Sequence, residues 1–255
     1  MMKKFKFGLK LWSTNNNYIE EAIKLYKNST YDYIELYVIP DSYENYIKVW
    51  QELNIPFIIH APHFRDGLNL AEKNKFYKNM ELAHEAQHFA DKLNAHWIIF
   101  HPGIDGNIKE TASQLKYIND SRILIENKPY YALDNGLICN GTTPEEIEFL
   151  IKEVQIGFCL DIGHAICSAN AHNIDSSHYI KNFISLKPTM YHLTDGDIQG
   201  IYDKHLHIGE GSFDMKFTLS FIQNGSMLTI ETLKSSMKNL NDFVGDIRNL
   251  KNIYE

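Results

Sequence analysis

Between Gly200 and Asp214 the chain reads GIYDKHLHIGEGSFD, with Asp203, His205 and His207 at alternating positions directly after a second histidine and acid cluster, YHLTDGD. Imidazoles and carboxylates are the side chains that bind divalent metals and move protons near neutral pH. The same types close a series of apolar runs: His60 in PFIIH, His101 in HWIIFH, Glu126 in RILIEN, Asp161 in IGFCLD, His192 in MYHLTD and Glu231 in SMLTIE. His164 follows Asp161 by three positions. Mixed imidazole and carboxylate donors suit zinc, manganese or iron. No cysteine closes a run, which points away from a structural thiolate site and toward an open catalytic one. Glu126, Asp161, His192 and Glu231 suffice for one divalent ion. His60, His101, His164, Asp203 and His205 are a surplus that calls for a further metal site.

Something must hold these residues together. Eight apolar or β-branched runs recur, at 5–12, 31–38, 56–60, 96–101, 122–127, 156–161, 190–195 and 226–231. Between them lie segments of helical period, among them NYIEEAIKLYKN, YENYIKVWQEL, FYKNMELAHEAQHFADKL, TPEEIEFLIKE and SMKNLNDFVGDIRNL. In TPEEIEFLIKE, Thr143, Pro144 and Glu145 supply an N-cap, a first helical residue and a first-turn acid. Runs that are apolar on both faces fit parallel strands covered on each side. An open doubly wound sheet would show the same alternation but would spread its strand ends along a line, whereas a barrel gathers them into one ring. Six successive runs ending in ligand-type residues therefore predict an α/β fold, a (β/α)8 TIM barrel, as a single domain over residues 1–255. No Pro/Gly/Ser linker divides the chain.

The bulk composition narrows the partners. The 255 residues are 44% hydrophobic and 22% charged with a net charge of −7, so no global basic field attracts nucleic acid or an acidic membrane, although bound metals would add local positive charge. Cys139, Cys159 and Cys167 are an odd number without CxxC spacing, which fits reduced thiols and a cytoplasmic setting. The start MMKKFKFGLKLW carries no signal-peptide core, and no stretch reaches the roughly 18 apolar residues of a membrane span. Neither a membrane nor a protein partner is expected.

The motifs IIHAPH, IIFHPG, ILIEN, CLDIGHA, YHLTD, DKHLHIGEG and LTIET resemble those of the xylose isomerase-like TIM-barrel superfamily, in particular its endonuclease IV branch, over residues 56–232. That resemblance implies three zinc ions. His60 and His101 would hold one, Glu126 would bridge to a second held by Asp161, His192 and Glu231, and His164, Asp203 and His205 would hold the third. It implies phosphoester hydrolysis by metal-activated water, with Glu126 and Glu231 as catalytic carboxylates and abasic-site DNA or a smaller phosphorylated molecule as substrate. The first fifty residues depart from the endonuclease pattern: LKLWSTNNN and LYVIPDSYEN replace its DNA-contacting loops, and His63 stands where an aromatic enters DNA. The same motifs also resemble those of sugar phosphate isomerases and epimerases. There Glu126, Asp161, His192 and Glu231 would hold a single manganese or magnesium ion, and the two glutamates would shuttle a proton.

Other signals have competing explanations. HEAQH at His84–His88 matches a zinc-protease pattern but falls on a helix expected at the barrel's outer surface. Arg65 and Lys128 are candidate phosphate contacts, with His63 and His207 as further substrate-binding residues. His207, two positions after His205, lies on the other face from it if Asp203-x-His205-x-His207 is extended. GEGSF is either a backbone nest for a phosphate or a turn, and Asp195 and Asp197 either orient imidazoles or belong to the loop.

Overall fold

The computed structural model describes residues 5–133 and 136–254. Eight parallel strands close into one barrel in sequence order: β1 Lys6–Trp12, β2 Tyr33–Tyr37, β3 Phe57–His60, β4 Ile98–Phe100, β5 Ile123–Glu126, β6 Gly157–Asp161, β7 Met190–Leu193 and β8 Met227–Ile230. Each coincides with one of the eight apolar runs. Pairing of β8 with β1, Thr229 opposite Gly8 and Ile230 opposite Leu9, closes the ring. The outer helices are α1 Ile19–Lys27, α2 Tyr43–Gln51, α3 Phe76–Lys92, α4 Ile108–Ile118, α5 Pro144–Val154, α6 Ile162–Ala171, α7 Ser176–Ser185, α8 Met215–Ser220 and α9 Asn241–Tyr254.

The pleat sends alternate residues of every strand to opposite sides. Leu9, Leu36, Ile59, Phe100, Ile125, Leu160, Leu193 and Ile230 belong to the large buried cluster shared with the helices. Tyr33, Ile58, Ile99, Leu124, Cys159 and Met190 form a separate buried cluster within the barrel. Both faces of the sheet are thus covered, which is why the strands read as continuous apolar runs rather than alternating ones.

Helix starts follow local chemistry. Thr143 caps α5, its Oγ1 accepting from the Glu146 N–H at 3.2 Å, with Pro144 as the first helical residue. The segment 236–250 behaves differently from its helical pattern, because α9 begins only at Asn241. The backbone carbonyls of Ser236 and Met237 accept hydrogen bonds from Tyr18 Oη and Asn17 Nδ2, both at 2.7 Å, and the Leu240 N–H donates to Glu21 at 2.9 Å. These bonds to the β1–α1 region hold residues 236–240 as a loop beside the mouth of the barrel. Among the described residues no helix is long and apolar enough to cross a membrane, and all three cysteines are buried, unpaired thiols.

Candidate metal centre

Strand ends β3 to β8, with the loops that follow them, bring all nine expected ligands together. His60, His101 and Glu126 form one group of converging donor atoms. Glu126, Asp161 and His192 form a second, and His164, Asp203 and His205 a third. Glu231, after β8, lies 2.7 Å from His192 Nδ1, and Glu126 Oε2 lies 3.4 Å from the same nitrogen. Glu126 is the hub, since its Oε2 is also 3.1 Å from Nε2 of both His60 and His101.

Hydrogen bonds on the far side of the rings show that this arrangement suits cations. His60 Nδ1 donates to the Ala61 carbonyl at 2.8 Å and His205 Nδ1 to the Glu231 carbonyl at 2.9 Å, while His164 Nδ1 donates to the Asn127 carbonyl at 2.9 Å and also lies 3.1 Å from Glu126 Oε1. In each ring the remaining nitrogen, Nε2, faces a carboxylate: Glu126 for His60, and Asp203 at 3.3 and 3.5 Å for His164 and His205. A lone pair aimed at a carboxylate oxygen is repulsive unless a proton or metal ion lies between them, and one ion satisfies a whole group. Asp161 combines two tasks. Its Oδ1 caps α6 by accepting from the His164 N–H at 2.7 Å, while its buried Oδ2 has no hydrogen-bond partner. His101 Nδ1 is likewise buried and without a hydrogen-bond partner.

The electrostatics show how closely these groups are coupled. Burial, with Asp203, Glu231 and Glu126 nearby, outweighs His164 and pushes the Asp161 carboxyl up to about 6. Burial alone would lower His164, but Asp161, Asp203 and Glu126 hold it up at about 10. Burial and the Lys128 ammonium push His101 well below the ordinary imidazole value and His63 down to about 3, so both rings are neutral.

Two residues in the centre carry no signal at a strand end. Glu35, fully buried in the middle of β2, accepts from His192 Nε2–H at 2.8 Å, which leaves His192 Nδ1 as the nitrogen directed at Glu126 and Glu231. Lys10, in β1, pairs with Glu35 at 3.1 Å and with Glu231. Burial would raise the Glu35 carboxyl, but His192 and Lys10 hold it at about 2. Glu35 and Lys10 are each a charge flanked by apolar residues within a strand run, a feature that Lys6 and Asp32 in the same runs share. Without the partner strand, neither reveals what it meets.

Above the ligands lies a cavity of about 760 Å³. Of the four residues expected to contact substrate, His63, Arg65 and Lys128 line it. Lys128 Nζ reaches into the ligand groups, 3.4 Å from Nε2 of His101 and of His164 and 3.5 Å from Glu126. His207 is not among the lining residues. Its Nδ1 bonds the Asp246 carboxylate of α9 at 3.0 Å, which directs it to the helix layer; the backbone at His205 is left-handed (φ 48°), so the segment is not the extended one that alternation requires. The GEGSF segment is a turn whose amides are already engaged. Gly209 and Phe213 N–H donate to the two oxygens of Asp195 at 2.9 and 3.1 Å, and the Gly196 N–H donates to Asp195 at 2.8 Å. Asp195 is therefore the organiser of that loop, while Asp197 is exposed and caps the Gln199 N–H. His84 and His88 stack on each other on the exposed face of α3, and Glu85 between them accepts from the Asp41 and Tyr43 amides.

A closed (β/α)8 barrel with a ring of imidazole and carboxylate side chains at its C-terminal end defines the class. The chain belongs to the xylose isomerase-like TIM-barrel family, whose profile matches residues 23–253. It is 24% identical to the uncharacterized protein MJ1311 of Methanocaldococcus jannaschii over 242 residues, covering 86% of this chain and 77% of that one. Its fold is similar to that of a D-tagatose 3-epimerase-like protein, with a TM-score of 0.73, 21% identity and coverage of 97% and 96% of the two chains. It is also similar to endonuclease IV of Thermus thermophilus, with a TM-score of 0.70, 16% identity and coverage of 97% and 98%.

Proposed function

We propose that this protein is a metal-dependent phosphoester hydrolase, with zinc as the metal. The observation that carries the reading is the convergence of nine ligand-type residues at the C-terminal end of one barrel, with Nε2 of His60, His164 and His205 each facing a carboxylate. His60, His101 and Glu126 would hold one ion. Asp161, His192 and Glu231, with Glu126, would hold a second, and His164, Asp203 and His205 a third. Bound divalent ions lower the pKa of water and offset charge on phosphoryl oxygens.

The chain's own residues do the rest. Glu126 ties the groups together, and Lys10 holds the Glu231 carboxylate in place from below. Lys128 brings an ammonium to the cavity side of the ligands, where it can receive a phosphoryl oxygen. His63, a neutral ring that also lines the cavity, is available to hydrogen-bond the substrate without adding charge. Abasic-site DNA and small phosphorylated molecules are the two substrate classes this chemistry serves.

A second reading rests on the convergence of Glu126, Asp161, His192 and Glu231, which could hold one manganese or magnesium ion without the other five. Glu126 and Glu231 would then move a proton between adjacent carbons of a sugar or sugar phosphate, as the fold similarity to an epimerase-like protein invites. The separating experiment incubates zinc-loaded protein with a phosphodiester, with abasic-site DNA and, after manganese loading, with a ketose. The hydrolase reading expects phosphoester cleavage that is lost in Glu231→Gln. Conversion of the ketose to its epimer without cleavage of any phosphoester overturns it.

A further inference from the structure

The cavity above the ligands is charged at its floor and apolar at its mouth. Lys10 and Lys128 line the floor with side chains only 16% and 12% exposed. Around the opening stand Trp12, Leu133, Leu233 and Met237, each more than half exposed, at 55%, 57%, 63% and 69%. Trp12 ends β1, while Leu233 and Met237 follow β8, its neighbour in the barrel. Leu133 follows β5, on the far side of the ring. Four large apolar side chains gathered on one opening, on both sides of it, are costly to leave in water and mark a binding surface.

This mouth is built rather than frayed. Hydrogen bonds from Tyr18 and Asn17 pin the carbonyls of Ser236 and Met237, and the Leu233 N–H donates to the His205 carbonyl at 3.4 Å. A duplex would need basic groups spread over the outer surface to meet its phosphates, and the chain's net charge is −7. The volume of about 760 Å³ is that of a small-molecule site.

We propose that the substrate is a small amphipathic phosphoester. Its phosphoryl group goes down to Lys128 and the ligand ring, and an apolar group attached to it lies against Trp12, Leu133, Leu233 and Met237. This rests on the phosphoester reading and narrows it from DNA to a small molecule.

The test is calorimetric binding of methylphosphonate, phenylphosphonate and an abasic-site duplex to zinc-loaded protein and to a Trp12→Ser/Leu233→Ser variant. Both substituted side chains are solvent-exposed, so the fold is expected to survive, and circular dichroism checks it. Phenylphosphonate should bind about tenfold more tightly than methylphosphonate. That advantage should vanish in the variant while methylphosphonate affinity stays the same. Equal affinities, an advantage that survives the variant, or a duplex bound more tightly than phenylphosphonate overturns the proposal. Phosphonates have no P–O ester to cleave, so the preference is read without turnover. A mouth-dependent preference without phosphoester cleavage sinks the hydrolase reading alone, and cleavage without that preference sinks the substrate class alone. Failure of both phosphonates to bind sinks both.

Discussion

Two sets of inward-facing residues, one pleat apart along each strand, are built from opposite chemistry. Counted from β1 to β8, the first set is Gly8, Tyr33, Ile58, Ile99, Leu124, Cys159, Met190 and Thr229. Two residues further along each strand, or just past its end, stand Lys10, Glu35, His60, His101, Glu126, Asp161, His192 and Glu231. Every step goes from an uncharged residue to an ionisable one. The barrel's shear staggers the two sets, so that Ile58 pairs with Glu35 and Thr229 with His192. The first set is tightly filled: a Cβ on Gly8 would collide with the Tyr33 ring and with Thr229, and Tyr33 Oη and Thr229 Oγ1 satisfy each other at 2.9 Å. The second set leaves Asp161 Oδ2 buried without a hydrogen-bond partner. One set closes the barrel, and the other concentrates charge toward its C-terminal end. A single strand thus carries both scaffold and site, with the two-residue period of the pleat as the boundary between them.

If the two sets are separate in function as well as in chemistry, their substitutions should have opposite costs. Ile58→Ala empties part of the first set and should lower stability by about 2–5 kcal/mol, with zinc per folded chain unchanged. Glu126→Gln, in the second set, should cost little stability but remove zinc and reduce phosphoester cleavage by about a thousandfold. Thermal unfolding together with elemental analysis reads both. If Ile58→Ala lost zinc as readily as Glu126→Gln does, the division into two sets would fail.

A more modest change probes the support beneath the ligands. Glu35→Ala removes the acceptor that fixes the His192 ring, and such supports are worth about 10–100-fold in metal affinity. Competition against a chelator should show that loss. Glu35→Gln keeps an acceptor for His192 Nε2–H and should recover part of it. Unchanged affinity in Glu35→Ala would make Glu35 a packing residue only.

Lys234, which lines the same cavity and senses Lys10 and Glu231, offers a milder test still. Burial, with the Lys10 charge nearby, pushes the Lys234 ammonium down to about 8. Lys234 is therefore charged below about pH 8 and neutral above it, so it attracts a phosphonate only on the acid side. Phenylphosphonate affinity should fall by about fivefold as pH rises through that value, the size of one partly screened charge contact. In Lys234→Gln the affinity should start low and this fall should be absent.

Much of the fold was legible because both faces of each strand are covered, so each run announced itself without help from its neighbours. The nine ligand-type residues were legible for a related reason, since parallel strands in a barrel end on one rim and a residue at a strand end inherits that location. Thr143 and Pro144 were legible as a helix start because capping is a contact between residues three apart. Glu35 and Lys10 were not. The partner that gives Glu35 its role is 157 residues away, and an acid within YIELY does not say which side chain it will meet. His207 and the glycine-rich turn were ambiguous for the same reason. Asp246 on α9 captures the first, and Asp195 fills the second with a carboxylate of the protein's own.

Local pattern was enough to establish the eight βα units and the strand-end positions of the metal-ligand types. Folding added which nitrogen of each histidine faces its carboxylate, the place of Lys10 and Glu35 in the centre, and the apolar character of its mouth. Those outcomes arise where the closed ring of strands and the loops above it bring distant residues within hydrogen-bond or van der Waals reach, and no spacing along the chain encodes them.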